Sequence, residues 1–417
     1  MIVKRSPTVV YGLWLSKILY AHRTDAWNAE PLENQEREDD WLHELWHELD
    51  EKPRQRLWGL SADLATLRDQ ETWVDDDWPR LTEQELARQQ SAAFQRRDWD
   101  GFLESLRRPP RFLARPMVDY LRGRAWMEMG HPEVATLFFD NAARLEPSNA
   151  MHRVLALECL KSIPDWPKAV ARAEQCVLDP DAPPRLIFRA ADIFHAYGIE
   201  ANQADYFQRA IDAVTAGFVR HAHGAQESLP SVLAGAFATK ALSLEALQRF
   251  DESLAVFDEA ISQLPDNTTL LTARGLLKQE LGRTDALLDF QAAIDKGCAM
   301  VWPYVEAARS ALRTGQHGKA QEYCQRGLSV AQRDSAAAIL FELLGISLSQ
   351  LGDSKEAVRR ALQTAAQLDP LSEEIRQNLQ AFENHLSRSL GGEPHWRLES
   401  ATSAATKDVY AHLQAAA

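Results

Sequence analysis

The sequence predicts an all-α, right-handed solenoid of helix-turn-helix repeats, and three observations predict it. Small and aromatic residues recur about every 34 positions, as Ala135 with Ala169, Ala142 with Cys176, Ala286 with Ala320 and Phe290 with Cys324. A period of that length belongs to stacked supersecondary units rather than to a globular enzyme core. Within one period the apolar residues follow helical spacing in two runs, divided by a Gly and closed by a Pro. The composition, 45% hydrophobic and 25% charged over 417 residues, is that of an ordinary folded chain.

At the amino end, Lys4 and Arg5 precede the apolar stretch 9–15, in imitation of a secretory leader. Lys17 interrupts the run and no small-residue cleavage site follows, so the stretch reads as an amphipathic helix with Leu13, Trp14, Ile18 and Leu19 inward. Residues 41–68 suggest two helices around Trp41, Leu45, Leu49, Trp58 and Leu64. The whole of 1–81 reads as a helical cap, with acidic runs at 33–40 and 75–77 as solvated ends or loops. Residues 82–115 form a degenerate repeat, so a first array spans 82–217. A polar linker occupies 218–233, a second array 234–370, a capping helix 371–390 and a flexible tail 391–417, where only 409–413 suits a short helix.

The clearest unit is 116–149. Leu121, Gly123, Trp126 and Met127 lie on its first helix, which Gly130 ends by taking a left-handed conformation. Pro132 opens the second helix, carrying Val134, Ala135, Phe138, Phe139 and Ala142, and Pro147 stops it. Small residues at 123, 135 and 142 let the helices approach, while Trp126 and Phe139 fill the remaining space. This unit resembles the tetratricopeptide repeat, and similar units follow at 150–183, 184–217, 234–267, 268–300, 301–334 and 338–370. Two depart from the pattern: 184–217 and 301–334 lack the closing Pro, and the latter has Gly327 where Ala is usual.

The resemblance implies a concave groove lined by repeat positions 2, 5, 9, 12 and 13 of each first helix. On this sequence those positions hold Tyr120, Arg124 and Met127, then Phe188 and His195, then Trp302, Arg309 and Arg313, with Leu242, Glu245 and Leu276 among the others. Aromatic and Arg side chains dominate binding energy when desolvated. Arg124 and Arg309 suit either a bidentate hold on a partner carboxylate or pairing with a neighbouring Glu or Asp on an adjacent helix. Position 9 carries no Asn in any unit, which argues against the clamp that chaperone-binding members of the family use for an acidic C-terminus.

The expected activity is therefore non-catalytic binding of a protein or peptide, with no cofactor. A formal charge of −14 argues against nucleic acid as the partner, and no apolar run is long enough for a membrane span. Four cysteines without paired spacing point to a reducing compartment, hence the cytoplasm. Two alternatives stand beside this reading. His43-Glu44-Leu45-Trp46-His47 matches H-E-x-x-H, whose two imidazoles on one helix face would bind zinc while Glu44 activates water, making a metallohydrolase. Against it, Glu48 follows directly, no third ligand is evident, and an amphipathic surface helix accounts for the same residues. The other alternative is a regulator that senses a small peptide.

Overall fold

The computed structural model describes residues 7–24, 46, 49–68, 82–107, 109, 113–223, 229–332, 334–388, 394, 396–398 and 402–416. Among them every regular element is a helix. The chain gathers into two compact units, Met1–Ala182 and Pro183–Ala417, so its division lies upstream of 218–233.

The first unit contains α1 (Pro7–Thr24), α2 (Glu51–Arg68), α3 (Glu83–Arg96), α4 (Trp99–Ser105), α5 (Arg115–Glu128), α6 (Pro132–Leu145), α7 (Ala150–Lys161) and α8 (Trp166–Leu178). Local chemistry sets their starts. Thr82 and Glu85 make a reciprocal capping box at α3, Asp98 caps α4, Asn149 caps α7 and Asp165 caps α8. One core joins the cap to the repeats: Leu15, Leu57, Leu60 and Phe102 share a cluster with Trp126 and Phe139. Trp58, expected to point inward, is 75% exposed, and Leu57, Leu60 and Leu64 take the buried face of α2 instead.

The second unit contains α9 (Pro184–Ala201), α10 (Ala204–His223), α11 (Pro230–Ala246), α12 (Phe250–Gln263), α13 (Thr268–Glu280), α14 (Ala286–Asp295), α15 (Trp302–Arg313), α16 (His317–Leu328), α17 (Asp334–Gln350), α18 (Lys355–Leu368), α19 (Glu373–Arg388) and α20 (Thr402–Ala416). Consecutive helices pack as hairpins from α9·α10 to α17·α18. Helix occupies most of the segment read as a linker, since α10 runs to His223 and α11 begins at Pro230. The tail expected to be flexible holds α20.

The same turn closes every hairpin but α7–α8. Gly130, Gly282, Gly315 and Gly352 all have φ between 67° and 80°. In each case the next residue donates its N–H back across the turn, as His131 does to the Trp126 carbonyl at 2.9 Å and Gln316 to Ala311 at 2.8 Å. Arg97, Asn202 and Gln248 take the same left-handed conformation without being glycine, so units 82–115, 184–217 and 234–267 keep the turn without its signature residue. Close approach explains the other recurring glycines. A Cβ on Gly123 would meet Phe139 Cε1 at 2.7 Å, and one on Gly275 would meet Phe290 Cε1 at 2.7 Å. Gly327 has a comparable cause, because a Cβ there would meet Tyr304 Cβ at 2.8 Å and Leu340 Cδ1 at 2.9 Å. The unit 184–217 departs mainly in length, with helices of 18 and 20 residues against 14 and 14 in the clearest unit.

Candidate functional site

In the second unit, the first helices of successive hairpins carry the predicted groove positions. Helix α20 lies against two of them, α11 and α13. Its Ala405, Val409, Tyr410 and Leu413 are buried in the same core cluster as Leu276, Trp302 and Val305. The i, i+4, i+8 spacing of Ala405, Val409 and Leu413 places them on one stripe. Polar contacts fix the helix axially: Trp302 donates Nε1–H to Asp408 Oδ2 at 2.9 Å, and Tyr410 donates its hydroxyl to Glu245 Oε1 at 2.8 Å.

Residues 396–398 ahead of α20 are held through their backbone. Asn378 on α19 donates Nδ2–H to the Arg397 carbonyl at 2.9 Å and accepts the Arg397 N–H on Oδ1 at 2.8 Å. One amide side chain thus satisfies both backbone groups of a single residue, as a neighbouring strand would. Arg313 Nη2 donates to the Leu398 carbonyl at 3.1 Å. The Trp396 ring stacks on buried Phe382, with centroids 6.4 Å apart and planes 19° apart.

Beneath these contacts the first helices carry buried polar networks. Gln279 on α13 and Arg309 on α15 both donate to Glu306, at 2.8 and 3.1 Å. Asp192 on α9 accepts from Arg189 and from Thr239 on α11. Glu342 on α17 accepts from Asn378 at 2.8 Å. Each network crosses between neighbouring hairpins, so removing one partner leaves the other buried without its mate. Glu245 differs in having no cationic partner among the described residues. Burial pushes its carboxyl up to about 7, against the lowering effect of hydrogen bonds from Tyr410 and Ser253.

The expected groove residues divide among these environments. Trp302 and Arg313 meet the C-terminal segment directly. Arg309 is 1% exposed and paired with Glu306 on its own helix, rather than with an acid on an adjacent one, and this burial leaves it no bidentate hold on a partner carboxylate. Phe188 and His195 are buried between helices: a Cβ on Gly217 would run into the Phe188 ring, and His195 Nδ1 lies 2.9 Å from Ser243 Oγ. In the first unit, Tyr120, Arg124 and Met127 lie half-buried on α5. Arg124 Nη1 is 3.5 Å from the Tyr120 hydroxyl and Nη2 is 3.7 Å from Glu128, so this arginine too has an acidic neighbour on its own helix.

Asn378, Tyr410 and Asp408 escaped the sequence reading. They lie in the capping helix and the tail, where repeat positions assign no inner face. The available signals were the stripe at 405, 409 and 413, and Glu306 three residues before Arg309. His43, Glu44 and His47 lie outside the described residues. Among the described residues no group of three or more His, Cys, Asp or Glu side chains could hold a metal ion, and no helix is long and apolar enough to cross a membrane. All four cysteines are free and buried. Burial pushes the Cys159 and Cys324 thiols up to about 12, which suits packing rather than nucleophilic chemistry.

No family model matches the chain. It is 25% identical over 247 residues to the mitochondrial import receptor subunit TOM70 of Homo sapiens, an alignment that covers 56% of this chain and 38% of that protein. Among solved structures, the C-terminal part of a TPR repeat-containing protein from Cytophaga hutchinsonii aligns at 11% identity and a TM-score of 0.34, covering 70% of this chain and 98% of that one. A monomeric mutant of IFIT1 with Gppp-AAAA aligns at 16% identity and a TM-score of 0.41, covering 90% and 89%.

Proposed function

Because the chain is a tetratricopeptide repeat protein, we propose that it is a non-catalytic scaffold or adaptor holding a protein or peptide segment in the groove of its repeats. One observation supports this above the others. Trp302 and Arg313, assigned to the groove from repeat position alone, contact the protein's own polypeptide, at Asp408 and Leu398 respectively. The contacts are of the kind that bind a partner: one indole N–H to a carboxylate and one guanidinium to a backbone carbonyl. Similarity over 247 residues to a receptor subunit agrees with a protein-holding role, and a cytoplasmic site of action fits four free, buried thiols.

Affinity capture from native extract tests the reading, in a Val409→Asp/Leu413→Asp background that frees Arg313 from the protein's own Leu398, with and without Arg313→Glu. Arg313 is exposed, so reversing its charge spares the core. The expected result is a partner held by the background protein and reduced at least roughly tenfold by Arg313→Glu, the usual cost of losing one charged contact, at an unchanged melting temperature. Identical capture by both proteins sinks the groove assignment.

A further inference from the structure

We propose that residues 396–398 and helix α20 together are an exchangeable occupant of the second unit's groove, and that the partner replacing them is an amphipathic helix preceded by a short non-helical stretch. The inference rests on the groove reading above and adds the class of ligand and its regulation.

Position is the first argument. A helix that merely capped the stack would cover the last hairpin, as α19 does on α18. Helix α20 instead returns across the chain to α11 and α13, where Tyr410 meets Glu245 at a separation of 165 residues. It lies on the surface that repeat geometry assigns to a ligand.

The contacts are also those of a bound peptide. Asn378 and Arg313 read the backbone at Arg397 and Leu398, which any sequence offers. Specificity comes from an apolar stripe at i, i+4 and i+8, from a carboxylate for Trp302 and from a hydroxyl for Glu245. Such a stripe docking into an apolar groove is a recurrent mode of helix recognition.

The third argument is imperfect fit. Trp396 Nε1 and Thr406 Oγ1 are buried with no hydrogen-bond partner among the described residues, and the buried Glu245 carboxyl meets Tyr410 of α20 with no cation beside it among those residues. Unsatisfied polar groups weaken an association. The tail therefore leaves room for a partner that satisfies those groups better.

Competition in the full chain tests the proposal. The probe is a fluorescein-labelled peptide of residues 394–417, titrated by anisotropy into wild type and into Val409→Asp/Leu413→Asp, whose charges oppose docking of its own tail. A tethered tail acts at an effective concentration on the order of millimolar, so wild type should bind the peptide roughly 100-fold more weakly than the variant. Equal affinity for both proteins overturns the exchange and leaves groove binding intact. Binding to neither overturns the helix class, while capture through Arg313 continues to decide the scaffold reading separately. Hydrogen exchange on wild type covers the case of a misfolded variant: amides of α20 should exchange at least tenfold faster than those of α11 and α13. Exchange of all three helices together overturns the proposal.

Discussion

At the scale of single residues, two positions make sharp tests. Gln248 occupies with φ 59° the turn that glycine fills elsewhere, and the left-handed conformation costs a side-chain-bearing residue about 1–2 kcal/mol. Gln248→Gly should therefore raise stability by roughly 1 kcal/mol in urea denaturation, less the extra entropy of an unfolded glycine. Glu245 gives a pH dependence of definite sign. Its carboxyl titrates at about 7 in the folded protein against an ordinary 4.5, so the folded state holds the proton more tightly. Stability from this group is fully present below about 4.5 and is lost as pH rises to about 7. The groups facing it are Tyr410 of α20, Ser253 of α12 and the Glu280 carboxylate of α13. Tyr410 is itself held well above its ordinary value by burial and by Glu245, so it stays a neutral donor. Melting curves of Glu245→Gln should lack the part of the wild-type decline that falls between pH 5 and pH 7; parallel curves would mean that Glu245 is hydrated.

At the scale of elements, the hairpins show why the repeat was legible in sequence. Each needs a small residue where two helices touch and a large one opposite, so Gly123 with Phe139 and Gly275 with Phe290 left a period that survives divergence elsewhere. Gly123→Ala should cost about 1–3 kcal/mol by overpacking against Phe139, whereas Gly318→Ala, with open space around its Cβ, should not destabilise α16. The extent and place of helix α20, beyond a short helix at 409–413, were illegible for the opposite reason. Its Ala-rich sequence satisfies many environments, and its place depends on Trp302 and Glu245, which lie far away along the chain. Arg309 and Arg313 look alike as residue types, and only the position of Glu306 one turn earlier separates the buried structural arginine from the exposed one.

At the scale of the whole molecule, the core clusters around Phe139 and around Phe290 share no residue, one lying within Met1–Ala182 and the other within Pro183–Ala417. Phe139→Ala should cost about 3–5 kcal/mol. Hydrogen exchange should register that loss in the first unit and leave protection in the second unchanged. The backward reach of α20 also sets an order of events at the ribosome. Synthesis runs from α11 towards α20, and about 120 residues separate the end of α13 from the start of α20, roughly 6–24 s of elongation at ~5–20 residues per second. For that interval every nascent chain presents α11 and α13 before its own C-terminal helix exists. Under the exchange proposed above, newborn molecules are the ones most open to a first partner, and translation speed sets how many chains are claimed before they close on themselves.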